Sequence, residues 1–138
     1  MNEDVKTMKR TAVNPWPWSL NYGYNQAEII DRSARCLVCS GQTSVDGEGN
    51  PQHAGDMRNQ IALSLDNLET VLNAAEMTFS NVIRLSLYTT DVDDAMKHLD
   101  LLGSRFGRFG VTPPMTLLGV TRLALPPLMF EIEATAAD

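Results

Sequence analysis

The chain has 138 residues and a mass of 15.2 kDa, which predicts a single domain spanning residues 1–138. Hydrophobic residues make up 43%, enough for a core, and charged residues make up 20%, which excludes a highly charged disordered chain. The net charge is −6 and the 11 Lys and Arg residues are scattered, which excludes nucleic acid as a partner. The sequence shows no signal peptide and no apolar run of membrane-spanning length, so we expect a soluble cytoplasmic protein without a membrane partner.

The N-terminal part of the chain is predicted to contain a short strand, an aromatic loop and a hairpin. Lys9–Val13 is the candidate strand, and the Pro, Gly and Asn content of residues 14–27 predicts a loop. Residues 28–31 and 35–40 are predicted to pair as a hairpin around residues 32–34. Aromatic side chains are enriched in ligand and subunit contacts, although such rings also pin loops to a core. The loop contains four of them: Trp16, Trp18, Tyr22 and Tyr24.

The cysteines and histidines do not predict a metal or redox site. Cys36 and Cys39 have the CxxC spacing of redox and metal motifs, but they fall on a predicted strand. Residues three apart on a strand point to opposite faces, which favours two small core residues over a shared metal or a disulfide. His53 and His98 lie in different elements and match no zinc spacing.

Residues 56–75 have the clearest periodicity in the sequence and predict an amphipathic helix. The preceding segment, residues 45–51, is rich in turn-forming residues and lacks the pattern of a phosphate-binding loop. Polar side chains such as Arg58, Asp66 and Glu69 occupy one side of the helix. Apolar side chains form a stripe on the other side: Met57, Ile61, Leu65, Leu68, Leu72 and Ala75.

A strand and a second helix are predicted next. In residues 81–89, Ile83, Leu85 and Leu87 alternate with polar neighbours, as expected of a strand with one buried face. Asp91 is a candidate N-cap for one helix over residues 92–108. Its apolar stripe consists of Ala95, Leu99, Leu102 and Phe106.

Residues 113–136 are predicted to form a hairpin whose ends are marked by four prolines. Its first strand, residues 115–123, is apolar on both faces, so it needs cover on both sides. Its second strand, residues 128–135, alternates between apolar side chains and the carboxylates of Glu131 and Glu133. The order of elements predicts an α+β fold in which two helices cover one face of a mixed sheet. The uncovered face is then a candidate contact with another copy of the chain.

Five short motifs, in order along the chain, resemble the RidA/YjgF family. Each is weak alone, but together they extend from residue 14 to residue 136 with consistent spacing. They read Tyr24-Asn25-Gln26-Ala27, Ser40-Gly41-Gln42, Asp66-Asn67-Leu68 with residues 71–75, Asn81-Val82 through Thr90-Asp91, and Glu131-Ile132-Glu133-Ala134.

The resemblance implies a chorismate-mutase-like fold and a homotrimer with small-molecule clefts between subunits. It also implies a cofactor-independent, metal-free protein whose best-studied relatives hydrolyse enamines and imines. The cleft residues that it implies are Tyr24, Ser40, Gly41, Tyr88, Met115, Thr116 and Glu131.

Position 115 departs from the pattern of the deaminating members, which carry an arginine after Pro-Ala at this point. Here the segment reads Pro113-Pro114-Met115, and a thioether cannot make a charge-assisted pair with a substrate carboxylate. An arginine of another subunit is the alternative anchor. The resemblance therefore implies an imine, enamine or carbonyl ligand bound without the usual arginine, with a non-catalytic binding or regulatory trimer as the alternative.

Glu131 is the candidate catalytic residue. A partly buried carboxylate without a cationic neighbour has a raised pKa, which suits a general acid or base near neutral pH. A carboxylate that accepts hydrogen bonds from the backbone or from Ser40 is the equally weighted alternative. Ser40 has no histidine in its motif, which argues against a nucleophile there.

Overall fold

The computed structural model describes residues 8–138, which form two sheets and three α-helices. The smaller sheet pairs β1 (Lys9–Val13) with β2 (Ala27–Asp31) in antiparallel register. The loop between them contains a 3₁₀ helix, Pro17–Tyr22. The larger sheet contains the remaining five strands, and all three helices pack on one of its faces.

The larger sheet is mixed, as predicted, with its longest strands in the middle. Its strands are β3 (Cys36–Val38), β4 (Gln42–Thr43), β5 (Val82–Thr89), β6 (Met115–Gly119) and β7 (Phe130–Ala137). The order is β3-β7-β5-β6, and β4 also pairs with β7. Strand β7 runs antiparallel to β3, β4 and β5, whereas β6 runs parallel to β5.

The predicted hairpin over residues 28–40 is wrong. Strand β2 pairs with β1, and β3 pairs with β7 in the other sheet. The β1–β2 pairing is stabilised by the Arg10 side chain, which donates to Glu28 Oε1 at 2.7 Å across the two strands. Residues 32–34 therefore carry the chain from one sheet to the other.

The predicted C-terminal hairpin is also wrong, because β5 lies between β6 and β7. Pro113 and Pro114 directly precede β6, as predicted, but β6 is shorter than the predicted strand over residues 115–123 and ends well before Pro126. Strand β6 ends at Gly119, and the chain then crosses the end of the sheet before β7 begins at Phe130. The buried Gln60 side chain holds this crossing by donating to the carbonyl of Pro127 and accepting from the N–H of Met129.

The first predicted helix is confirmed as α1 (Met57–Ala74), with the Asp56 side chain accepting from the N–H of Asn59 as its N-cap. The second predicted helix is split into α2 (Val92–Met96) and α3 (Asp100–Gly107). Helix α2 ends because the N–H groups of Lys97 and His98 bond to carbonyls three residues earlier, which tightens the last turn.

The core lies between the helices and one face of the larger sheet. The stripe of α1 packs against the inward side chains of β5 and β7, and these residues are fully buried: Ile61, Leu65, Leu68, Leu72, Leu85, Leu87, Phe130 and Ile132. The opposite face of the sheet is covered by no other part of residues 8–138. We call this the open face. No helix among the described residues is long and apolar enough to cross a membrane.

Candidate functional site

The open face carries the outward side chains of β5, β6 and β7 in two cross-strand rows. In the first row, Tyr88 lies between Glu131 on β7 and Leu118 on β6. In the second row, Ser86 lies between Glu133 and Thr116. Most of these side chains are half-buried even in a single chain, which places two carboxylates and a phenol in a partly desolvated setting.

The Glu131 carboxylate packs over the backbone of Gly41. A Cβ atom at position 41 would overlap Oε2 of Glu131 and would lie 2.6 Å from its Cδ and 2.9 Å from its Cγ. Only glycine therefore fits at position 41 as long as the Glu131 carboxylate stays in this position. Strand β4 follows directly after Gly41 and pairs with β7, which brings the two residues together.

Two electrostatic effects shift the pKa of the Glu131 carboxyl in the same direction. Burial raises the pKa of its carboxyl, and the negative charge of Glu133 raises it further. Among the described residues, no hydrogen bond to the Glu131 carboxylate offsets these effects. The alternative interpretation was that Glu131 accepts hydrogen bonds from Ser40 or from the backbone. The structure gives no support to it, because the exposed Ser40 side chain donates no hydrogen bond to Glu131.

Glu133, in contrast to Glu131, accepts a side-chain hydrogen bond. The Tyr88 hydroxyl donates to its Oε1 at 2.6 Å, and this bond, together with burial, raises the pKa of Tyr88. On the same face, Arg84 donates to Thr116 Oγ1 at 3.0 Å. Glu133 is therefore a fixed hydrogen-bond acceptor, and Glu131 is the carboxylate that remains available to a ligand or to water.

The other face of the sheet borders a groove of about 850 Å³ between the N-terminal 3₁₀ helix and α2–α3. Tyr24 and Met115 both line it, and the Trp18 and Tyr24 rings meet edge to face with centroids 6.3 Å apart. The remaining lining side chains are mainly apolar: Leu20, Tyr22, Leu87, Met96, Leu99 and Leu117. We call this the aromatic groove.

The predicted site residues thus fall on two sides of the sheet. Tyr24 and Met115 lie in the aromatic groove, whereas Gly41, Tyr88, Thr116 and Glu131 lie on the open face. Alternation along β6 is the cause, because consecutive residues point to opposite faces. Within one chain, the structure does not bring the two groups into one pocket.

A buried polar network holds the aromatic segment in place and was missed by sequence reasoning. Asn25 donates to Glu28 Oε2 at 2.9 Å, its N–H bonds to the carbonyl of Thr112, and Asn14 donates to the Asn25 side chain. Arg10 completes the network on the other oxygen of Glu28. Most of these contacts join residues that are more than ten positions apart in the chain, so only the asparagine next to Tyr24 gave a local signal.

The prediction of two core cysteines is wrong for Cys36, which is exposed, and is confirmed for Cys39, which is buried. Burial raises the pKa of the Cys39 thiol. Within residues 8–138, no three His, Cys, Asp or Glu side chains converge where they could hold a metal ion.

Residues 19–138 match the family model described as Endoribonuclease L-PSP. The RutC family protein YjgH of Escherichia coli K12 is 30% identical over 117 residues, which cover 85% of this chain and 88% of YjgH. YyfB of Yersinia pestis, a Rid-family protein of unknown function, has a solved structure that matches with a TM-score of 0.84 at 30% identity. That match covers 94% of this chain and 98% of YyfB. The human 2-iminobutanoate/2-iminopropanoate deaminase is 28% identical over 71 residues, or 51% of this chain and 50% of that enzyme. The chain therefore belongs to the Endoribonuclease L-PSP family, which is the RidA/YjgF family that its motifs resemble.

Proposed function

We propose that this protein is a homotrimer that binds a small imine, enamine or carbonyl compound in clefts between subunits and hydrolyses the imine to a carbonyl compound and ammonia. The single observation that carries the proposal is the Glu131 carboxylate, which is packed over Gly41 without a hydrogen-bond partner among residues 8–138 and has a raised pKa. The human relative supports the reaction class, because that protein is a 2-iminobutanoate/2-iminopropanoate deaminase.

The open face supports assembly. Leu118 on β6 is 51% exposed and Val38 on β3 is 78% exposed, so the face presents apolar side chains at both edges of its polar centre. A sheet face of this composition is stabilised by burial against another copy. Burial there also desolvates Glu131 further and raises its pKa more.

A shared cleft follows from the division of the site residues. Tyr24 and Met115 cannot meet Glu131 within one chain, because they lie on the opposite side of the sheet. One cleft that contains all of them therefore takes Tyr24 and Met115 from one subunit and Glu131 from its neighbour. Strand β6 lies at the edge of the larger sheet. A neighbouring subunit that packs along this edge can therefore contact both faces of the sheet.

In the reaction, Glu131 moves a proton between water and the substrate nitrogen. The carboxylate accepts a proton from water as the water oxygen bonds to the imine carbon, and the C=N π-electrons pass to nitrogen. Glu131 then returns the proton to nitrogen, which gives a carbinolamine. The carboxylate next takes the hydroxyl proton and passes it to the same nitrogen, and the C–N bond breaks as the carbonyl forms and ammonia leaves. A raised pKa makes the carboxylate a stronger base for both proton abstractions.

The test is ammonium release from freshly generated imines, comparing wild type with Glu131→Gln. We expect the substitution to lower turnover by at least about 100-fold, since it removes the proton-transfer group and keeps the shape. Glu48→Gln, in the exposed turn before α1, is the matched control and should retain full turnover. Unchanged turnover in Glu131→Gln would refute the role of Glu131. Binding without turnover in wild type would instead establish the binding or regulatory trimer.

A further inference from the structure

We infer that the cleft selects an uncharged, apolar compound, of the size of an aromatic ketone or imine, over compounds that carry a carboxylate. The inference rests on the proposed cleft and names the substrate class that it takes. It is carried by the composition of the aromatic groove around Met115 and by the positions of the nearby charges.

The groove offers a ring-binding surface. Trp18, Tyr22 and Tyr24 supply rings to the lining, and Met96 and Met115 supply thioethers. Aromatic rings stack well against tyrosine and tryptophan, and sulfur makes favourable contacts with ring edges. The open groove measures about 850 Å³ in a single chain, which leaves room for a ring after a neighbouring subunit has filled part of it.

The groove offers nothing that binds a carboxylate. None of the described residues that line it is Lys, Arg or His, and β6 contributes the apolar side chains of Met115 and Leu117. Its one ionisable acid is Asp100, whose carboxylate is held by Arg58 at 2.9 and 3.0 Å on the outer surface. The Arg58 guanidinium is thus already paired with Asp100, and a substrate carboxylate would find no free cation among the described lining residues, which disfavours binding.

The nearest arginine on the open face does not replace the missing cation. Arg84 pairs with Thr135, which lies four residues beyond Glu131 on β7, so about 13 Å of strand separates the backbones of Arg84 and Glu131. In an α-imino acid the carboxylate is bonded directly to the imine carbon. The Arg84 guanidinium is bound to Thr116 Oγ1 at 3.0 Å, in the cross-strand row of Glu133, so a carboxylate next to an imine carbon at Glu131 would have to draw it away from Thr116.

Two further arginines are occupied elsewhere. Arg105 donates to Asp66 and Glu69 on α1, and Arg122 donates to backbone carbonyls next to it in the crossing. Neither side chain is free to enter the groove without breaking these bonds. Arg84, Arg105 and Arg122 are thus all bound to other groups, and none of them supplies the cation that the thioether at position 115 lacks.

The experiment compares two stable probes that differ in one group, phenylacetone and phenylpyruvate, by isothermal titration calorimetry with the purified full-length protein. Phenylacetone carries a methyl group where phenylpyruvate carries the carboxylate. We expect wild type to bind phenylacetone at least about tenfold more tightly. Met115→Arg should reverse the order, because it supplies the missing cation, while Met115→Leu should keep it.

Equal affinities, tighter binding of phenylpyruvate, or no binding of either probe to wild type would overturn the inference. The result is separable from the proposed hydrolysis, because it is read from binding alone. A protein that prefers phenylacetone but hydrolyses no imine would refute the hydrolysis and leave the ligand preference standing. A protein that hydrolyses imines but prefers phenylpyruvate would do the reverse.

Discussion

Replacing Gly41 with alanine should displace the Glu131 carboxylate and lower turnover by about 100-fold, the usual consequence of moving a catalytic group by 1 Å. The magnitude follows from the contacts. The new Cβ would overlap Oε2 and would lie 2.6 Å from Cδ, well inside the distance at which carbon atoms meet, so the carboxyl group has to move by about 1 Å or more.

Stability should change little in Gly41→Ala. The overlap involves the end of a flexible side chain, which can rotate toward solvent at a cost of about 1 kcal/mol. Gly47→Ala is the matched control, since a Cβ at position 47 meets no atom within 4 Å. Both variants should therefore unfold at nearly the wild-type temperature, and only Gly41→Ala should lose turnover.

The pKa of Glu131 provides a second measurement that does not depend on the substrate. Burial is the main cause of its raised value, so a carboxylate swung toward solvent should titrate closer to the ordinary value. Carbon-detected NMR of the Glu131 carboxyl measures this directly. If Gly41→Ala retains both wild-type turnover and a raised pKa, the packing of Glu131 over Gly41 is unrelated to function.

Three other predictions concern the Arg10–Glu28 pair, the Glu133 charge and the open face. Arg10→Met should lower the free energy of unfolding by about 3 kcal/mol in urea titrations, since it leaves the nearly buried Glu28 carboxylate without its cation. Arg58→Met removes one partner of an exposed pair and should cost less than about 1 kcal/mol. Glu133→Gln should lower the pKa of Glu131, because it removes a neighbouring negative charge. The acidic limb of the pH–rate profile should then move to lower pH, and a limb that does not move would contradict this prediction. Leu118→Glu should reduce the mass measured by light scattering from three chains to one, and an unchanged mass would exclude the open face from the interface.

Local patterns predicted the individual elements well. The apolar spacing in residues 57–74 gave α1, and alternation gave β5, because both depend on side chains close together in the chain. The RidA/YjgF motifs gave the family. The uncovered face of the sheet followed from counting which elements were available to cover it.

Pairing partners and site geometry could not be predicted in the same way. Strand β6 pairs with β5 across the α2–α3 connection, and an adjacent hairpin fits the same sequence pattern equally well. The break between α2 and α3 depends on hydrogen bonds in one tight turn. Met115 and Glu131 lie on opposite faces of the sheet because of the way in which β6 and β7 pair with β5. Sequence patterns do not give this pairing, so they could not predict the arrangement.

The most direct test of the shared cleft is complementation between two inactive variants, Tyr24→Ala and Glu131→Gln, co-expressed in equal amounts. If each cleft takes Tyr24 from one subunit and Glu131 from its neighbour, about a quarter of the clefts in randomly mixed trimers are intact, and turnover should recover to about that fraction. If mixed trimers stay as inactive as either variant alone, Tyr24 and Glu131 do not act across a subunit boundary and the account is contradicted.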